Sequence, residues 1–169
     1  MEKEILHEYR KKRNFKTTTE PKGKRVRKKK DSLSFVVQEH HASHLHYDFR
    51  LEYDGVLKSW AVPKGPSLDP KVKRLAVETE DHPLEYAEFE GTIPKGEYGA
   101  GEVFIWDSGT WEPEVEDIGQ ALEDGNLKFK LSGKKLKGSF VLVRTHNQNS
   151  KNKNWLLIKH KESAAKKYH

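Results

Sequence analysis

"HYDFRLEYDGVLKSWAV", His46–Val62, carries the reading on which the fold turns. Two alternations of apolar and polar residues flank Asp54-Gly55, a dipeptide suited to the positive φ angles of a tight two-residue turn, and the whole stretch predicts a β-hairpin. Side chains on a strand point alternately to opposite faces, so Tyr47, Phe49, Leu51 and Tyr53 share one face and His46, Asp48, Arg50 and Glu52 the other. One strand therefore offers a core and a row of chemically active groups.

The same grammar extends in both directions. "LSFVVQE", "RLAVET", "EVFIWD", "NLKFKLS", "SFVLVRT" and "NWLLIKH" are short, rich in β-branched and aromatic residues, and separated by Gly, Pro, Asn or Asp. With the two hairpin strands they predict a mainly β fold, a small closed or nearly closed barrel of about eight antiparallel strands, because so many short strands must hide their edges. One or two short helices are expected, in "EKEILHEYRKKRNF" and in "EPEVEDIGQALEDG". The glycines of "GTIPKGEYGAGEV" lack the spacing of a phosphate-binding loop and read as turn residues between strands.

The chain has 169 residues, 34% of them hydrophobic, enough for one modest core. It contains no cysteine, so a metal would have to be held by His, Asp, Glu or water. The absence of a long apolar run excludes a transmembrane helix, and a charged N-terminus argues against a secretory signal; a soluble, cytoplasmic protein without a membrane partner is expected. The net charge of +6 is concentrated in "PKGKRVRKKK", Pro21–Lys30, which holds seven Lys or Arg and no acid. The organisation expected is an N-terminal segment, residues 1–31, with a short helix and a flexible basic arm, followed by a barrel domain over residues 32–169. Such an arm binds polyanions through counterion release and favours nucleic acid over a membrane surface.

A polar strand face in water is the plain reading of His46, Asp48, Arg50 and Glu52. A merely solvated face, however, is usually filled with Lys, Glu, Thr and Ser, whereas His, Asp and Arg together are metal-ligand and anion-binding chemistry. A further ligand comes from the preceding strand, as His40 or His41: alternation from Phe35 and Val37 favours His40, and a loop after Glu39 would undo that parity. Two His and one Asp suit Mn²⁺, Fe²⁺ or Zn²⁺.

The stretch "HHASHLHYDFRLEYDGVLKSWAVPKGPSLDPKVKRLAVETEDHPLEYAEFEGTIPKGEYGAGEV" closely resembles the 3′-phosphoesterase domain of bacterial DNA ligase D and its stand-alone relatives, and the likeness runs from "YRKKRNF" to "NWLLIKHK". With no polymerase or ligase segment alongside, the chain resembles a stand-alone or excised version. The resemblance implies a barrel enzyme dependent on Mn²⁺, replaceable by Zn²⁺, Co²⁺ or another divalent ion. Its partner would be a DNA primer-template: a terminal 3′-ribonucleoside is released, and the 3′-phosphate left behind is hydrolysed to a 3′-OH for repair and ligation by a separate ligase and polymerase.

Carried onto this sequence, the resemblance assigns the metal to His40, His46 and Asp48 and the scissile phosphate to Arg50 and His82. Lys64, Arg74 and Tyr86 fall at further active-site positions, and Arg13 and Glu20 at substrate-binding ones. Where the family carries an Arg-Asp pair, this chain has Arg13-Asn14, which keeps hydrogen bonding and loses a charge that bears on the monoester step. Arg50 and His82 would neutralise charge on the phosphoryl oxygens, and a protonated His82 would also serve as general acid. Two other readings stand beside this one: a non-haem Fe²⁺ oxygenase using His46, Asp48 and His82, and a catalytically silent nucleic-acid-binding barrel.

Overall fold

The structure is a computed structural model that describes residues 6–15, 18–21, 32–145 and 152–161; the basic arm, residues 22–30, lies outside them. Among the described residues, nine strands follow in chain order: β1 Leu33–His41, β2 Leu45–Tyr53, β3 Val56–Val62, β4 Lys73–His82, β5 Gly91–Ile93, β6 Gly101–Pro113, β7 Asn126–Gly133, β8 Lys137–Arg144 and β9 Asn154–Lys159. They pair antiparallel in the order β1-β2-β3-β4-β9-β8-β7-β6, and β6 returns to β1. The sheet is thereby a closed barrel of eight strands, with β5 added along the first part of β6. Short helices lie at His7–Lys11 (α1) and Ile118–Asp124 (α2), and a 3₁₀ turn at Leu84–Glu88 (η1).

The expected hairpin joins β2 to β3, with Tyr53 opposite Val56 and positive φ at both Asp54 (56°) and Gly55 (82°). α2 begins at Asp117, whose side chain accepts from the Gln120 backbone N–H at 3.1 Å, and ends at Gly125 in the left-handed conformation. The predicted apolar face of β2 enters the barrel interior, where Phe49 and Leu51 pack with Phe35, Trp60, Phe129 and Trp155. β6 is longer than "EVFIWD" because it turns a barrel corner. Its register against β1 slips between Val37 and Gln38, which stand opposite Asp107 and Ile105 and leave Trp106 as the bulge.

At that corner Gly109 lies opposite Phe35 on one side and Gly133 on the other. A Cβ there would come within 2.1 Å of the Ser132 carbonyl oxygen. The obstruction is backbone, so Gly109→Ala is expected to cost about 1–3 kcal/mol and lower Tm by several degrees. A thermal melt beside wild type checks it.

The opposite face of β1 to β4 is covered rather than solvated. The N-terminal segment and η1 lie across it and bury Tyr9, Leu57 and Tyr86, with Phe15, Leu84, Ala87 and Phe89 packed against them. Gln38, His40, Asp48, Arg50, Glu52 and Ser59 are all buried on that side. Burying so many polar groups is unfavourable unless they find partners. It is their partners that make this face a site.

Candidate active site

β1 keeps its alternation past Glu39 and sets His40 directly opposite His46 and Gln38 opposite Asp48. The ambiguity between His40 and His41 is thus resolved by register: His41 is exposed and hydrogen-bonds Glu39 at 2.8 Å, whereas the rings of His40 and His46 lie 4.7 Å apart. His40 Nε2 lies 2.6 Å from the Gly99 carbonyl, and His46 Nδ1 lies 3.0 Å from the His44 carbonyl. A carbonyl only accepts, so each of these nitrogens carries the proton. In the neutral rings the lone pairs then sit on His40 Nδ1 and His46 Nε2, which approach the same Asp48 oxygen at 3.4 and 3.3 Å.

Both tautomers are fixed by backbone carbonyls, an arrangement that could hold a metal ion. The ligand atoms of His40, His46 and Asp48 lie within 4.8 Å of one another. Burial alone would raise the pKa of Asp48, but the Arg50 charge, together with hydrogen bonds that His40 and His46 donate when their rings are protonated, holds it well below the usual carboxylate range. For His46, burial opposes the charged form most strongly, but the hydrogen bond and charge of Asp48 and the His44 carbonyl together outweigh it and raise the pKa. The donors present fit a hard or borderline divalent ion.

Beside this cluster a cleft of about 330 Å³ is lined by Arg13, Glu20, Arg50, Glu80, His82 and Tyr86 among others. Arg50 is fixed in three directions: Nε donates to Gln38 Oε1 (2.7 Å), one terminal nitrogen donates to Ser59 Oγ (2.9 Å), and the other lies 3.5 Å from Asp48. Its plane rests over the Tyr86 ring at 4.8 Å. Gln38 in turn donates to the carbonyls of Tyr86 and Phe89, which sets the orientation of its amide.

A second network descends from the N-terminal segment. Arg13 pairs with Glu20 at 3.0 Å and with Glu80 at 3.2 Å, and lies over the Tyr9 ring at 4.0 Å. Glu20 also accepts from the Tyr86 hydroxyl at 2.6 Å. Burial drives the Tyr86 pKa well above the ordinary phenol value, so this group is a hydrogen-bond donor rather than a phenolate. Tyr9 donates to the Pro21 carbonyl and closes the segment against the barrel.

His82 reaches the cleft because of an irregularity. Ala76 and Glu78 follow the core-facing parity of β4, with Glu78 accepting from the Trp155 indole, and strict alternation would send His82 the same way. Instead the β3–β4 register slips: Ser59 faces Thr79 while Leu57 faces His82, and the extra residue on β4 turns His82 outward. Its Nδ1 donates to the Glu80 carbonyl at 2.9 Å, and Nε2 lies 3.4 Å from Arg13. Burial, then the charges of Arg50 and Arg13, push its pKa well below the ordinary imidazole value. His82 is therefore neutral in the free protein at neutral pH.

The structure brings together Arg13, Glu20, His40, His46, Asp48, Arg50, His82 and Tyr86 around one cleft. Lys64 stands exposed in the turn after β3, and Arg74 lies on β4 opposite Leu157 with the parity of Ala76; neither lines the cleft. The His46, Asp48 and His82 triad of the oxygenase reading is not the cluster formed, since His40 supplies the second imidazole and His82 faces Arg13. Gln38, Ser59 and Glu80 are site residues that the sequence does not single out. Gln38 shares the parity of His40, a visible signal, whereas Ser59 and Glu80 acquire their places through cross-strand register and the β4 irregularity.

Among the described residues, no helix is long and apolar enough to cross a membrane. The model of the DNA ligase D 3′-phosphoesterase domain matches residues 38–144. The chain is 56% identical over 162 residues to the "Multifunctional non-homologous end joining protein LigD" of Pseudomonas aeruginosa, covering 95% of this chain and 19% of that protein. Its counterpart in Mycolicibacterium smegmatis is 46% identical over 93% of this chain and 21% of its own length, and that of Mycobacterium tuberculosis 50% identical over 83% and 18%. The chain thus spans about a fifth of the length of these relatives. Because the matched segment runs from Gln38 through the ligand cluster, Arg50 and His82 to the end of β8, the likeness takes in most of the barrel strands and the His40, His46, Asp48, Arg50 and His82 side of the cleft, and the chain belongs to the DNA ligase D 3′-phosphoesterase domain family.

Proposed function

We propose that the protein is a metal-dependent phosphoesterase that heals DNA 3′ ends in two steps. Water attacks the phosphorus joining a terminal ribonucleoside to the primer; a P–O bond forms, the bond to the nucleoside 5′-oxygen breaks, and a 3′-phosphate remains. The second hydrolysis breaks the bond to the primer 3′-oxygen and releases inorganic phosphate from a 3′-OH end. The observation that carries this reading is the placement of two buried guanidiniums, Arg13 and Arg50, around a cleft that also holds the converging His40, His46 and Asp48 donors.

His40, His46 and Asp48 would hold the ion, with Mn²⁺ the first choice. Such an ion supplies Lewis acidity toward a phosphate oxygen and eases deprotonation of water. Arg50 presents a planar pair of donors to the phosphoryl oxygens, held ready by Gln38 and Ser59. His82 begins neutral. Burial, then Arg50 and Arg13, keep it so; an anionic phosphate entering between the two guanidiniums would offset their charges and favour a proton on Nε2, which would pass to the leaving oxygen while the attacking water releases its own. Asn14, exposed on the N-terminal segment, replaces an acidic group of the family and bears on the monoester step.

The test is a labelled primer-template ending in one ribonucleotide, incubated with and without Mn²⁺, with the ribonucleotide, 3′-phosphate and 3′-OH ends resolved. Ordered appearance of phosphate and then hydroxyl is expected only with metal. DNA binding without turnover would instead favour the silent barrel.

The basic arm contributes to binding by charge alone in this scheme. Deleting residues 22–30 is expected to weaken primer-template binding and to flatten its salt dependence, by about 0.9 log-log units for each phosphate that the arm neutralises. The single-turnover rate at saturating substrate should hold. Salt titrations of both proteins measure the difference.

A further inference from the structure

Hydrolysis of a diester leaves a question that the phosphate-binding groups do not answer: what holds the departing nucleoside. Of the exposed large apolar side chains among the described residues, Leu45, Leu68, Leu75, Tyr98 and Phe104, only Tyr98 lines the cleft. It is 50% exposed, unusual for an aromatic ring beside a buried charge network. Two tight turns hold it, with Glu97 N–H donating to the Pro94 carbonyl and Ala100 N–H to the Glu97 carbonyl, each at 3.1 Å.

The turns depend on glycines at positive φ, Gly96 (92°) and Gly99 (77°). Gly99 is also the residue whose carbonyl orients His40, so Tyr98 is tied through one peptide to a candidate metal ligand. From the N-terminal segment, the Lys12 ammonium lies 4.7 Å from the centre of the Tyr98 ring and 3.4 Å from its hydroxyl, and the Arg13 guanidinium 5.4 Å from the ring. The ring is held by two cations while half its surface faces solvent.

We infer that Tyr98 is a stacking platform for the base of the terminal nucleoside released in the first step, and so determines specificity for the diester over the monoester. This rests on the functional reading above. Every base has a π-face, so a single aromatic ring serves all four without reading sequence. Once the nucleoside has left, nothing remains for Tyr98 to hold, and the second step proceeds without it.

The experiment compares wild type, Tyr98→Ala and Tyr98→Phe on three primer-template ends: a ribonucleoside with its base, an abasic ribose, and a 3′-phosphate. For Tyr98→Ala, kcat/KM on the base-bearing end is expected to fall about tenfold or more, while turnover of the abasic and 3′-phosphate ends stays near wild type. Tyr98→Phe, which keeps the ring and removes the hydroxyl that meets Lys12, should behave as wild type on all three. Equal loss on every end, no loss on the base-bearing end, or failure of the Phe variant would overturn the stacking role. A wild type inactive on all three ends would overturn the functional reading itself, and this inference with it.

Discussion

Asp48→Asn is expected to lower both diester and monoester hydrolysis by about a thousandfold or more, at the upper range for removing one electrostatic interaction at a reacting centre. The substitution is nearly isosteric, so the close packing of β2 against β1 and β3 has no reason to change. What it removes is the charge shared by the Asp48 oxygen with His40 at 3.4 Å, His46 at 3.3 Å and Arg50 at 3.5 Å. An amide has one oxygen and an NH₂ in place of the carboxylate, and the NH₂ turned toward an ion would repel it. Single-turnover rates, Mn²⁺ titration calorimetry and circular dichroism together separate lost chemistry from lost fold. Undiminished turnover in Asp48→Asn, or wild-type activity in excess chelator, would remove the metal from the mechanism.

The barrel is legible in the sequence because its signals are local. Asp54-Gly55 specifies its turn through backbone conformation, and alternation in "HYDFRLEY" separates Phe49 and Leu51 from Asp48 and Arg50 whatever the remote partners are. β5 escapes such a reading: three residues, "GTI", are too short to show a period, and the strand exists because β6 offers an edge. Both helices are shorter than the stretches expected to hold them, His7–Lys11 and Ile118–Asp124, and the second is bounded by local signals, the Asp117 cap and the left-handed Gly125.

The candidate site divides along the same line. His46, Asp48 and Arg50 can be read from one strand, and His40 from parity that the structure preserves. Burial of that face cannot be read, because the cover comes from Tyr9, Phe15 and Tyr86, distant in sequence. His82 is reached through resemblance alone. Simple alternation along β4 would place it with the core residues, and only the irregularity opposite Leu57 and Ser59 carries it to the cleft.

Arg50→Lys is expected to retain metal binding and to lose activity by about a hundredfold or more on both substrate ends. The residue is 3% exposed and its side chain is stacked on Tyr86, with Nε given to Gln38 and one terminal nitrogen to Ser59. These interactions fix the plane of the guanidinium before substrate arrives. A lysine ammonium places the charge on a single nitrogen, cannot span Gln38, Ser59 and a phosphate together, and leaves the Gln38 carbonyl oxygen without its donor. Burial also favours its neutral form, so the variant should recover some turnover as pH falls and the ammonium forms. A guanidinium is charged across the range in which the ammonium forms, so the wild-type profile should lack that component. Mn²⁺ titration and pH–rate profiles of the two proteins provide the comparison. Loss of Mn²⁺ affinity in Arg50→Lys would identify Arg50 as a support for Asp48, and near wild-type turnover would mean that positive charge alone, without the planar fork, suffices at this position.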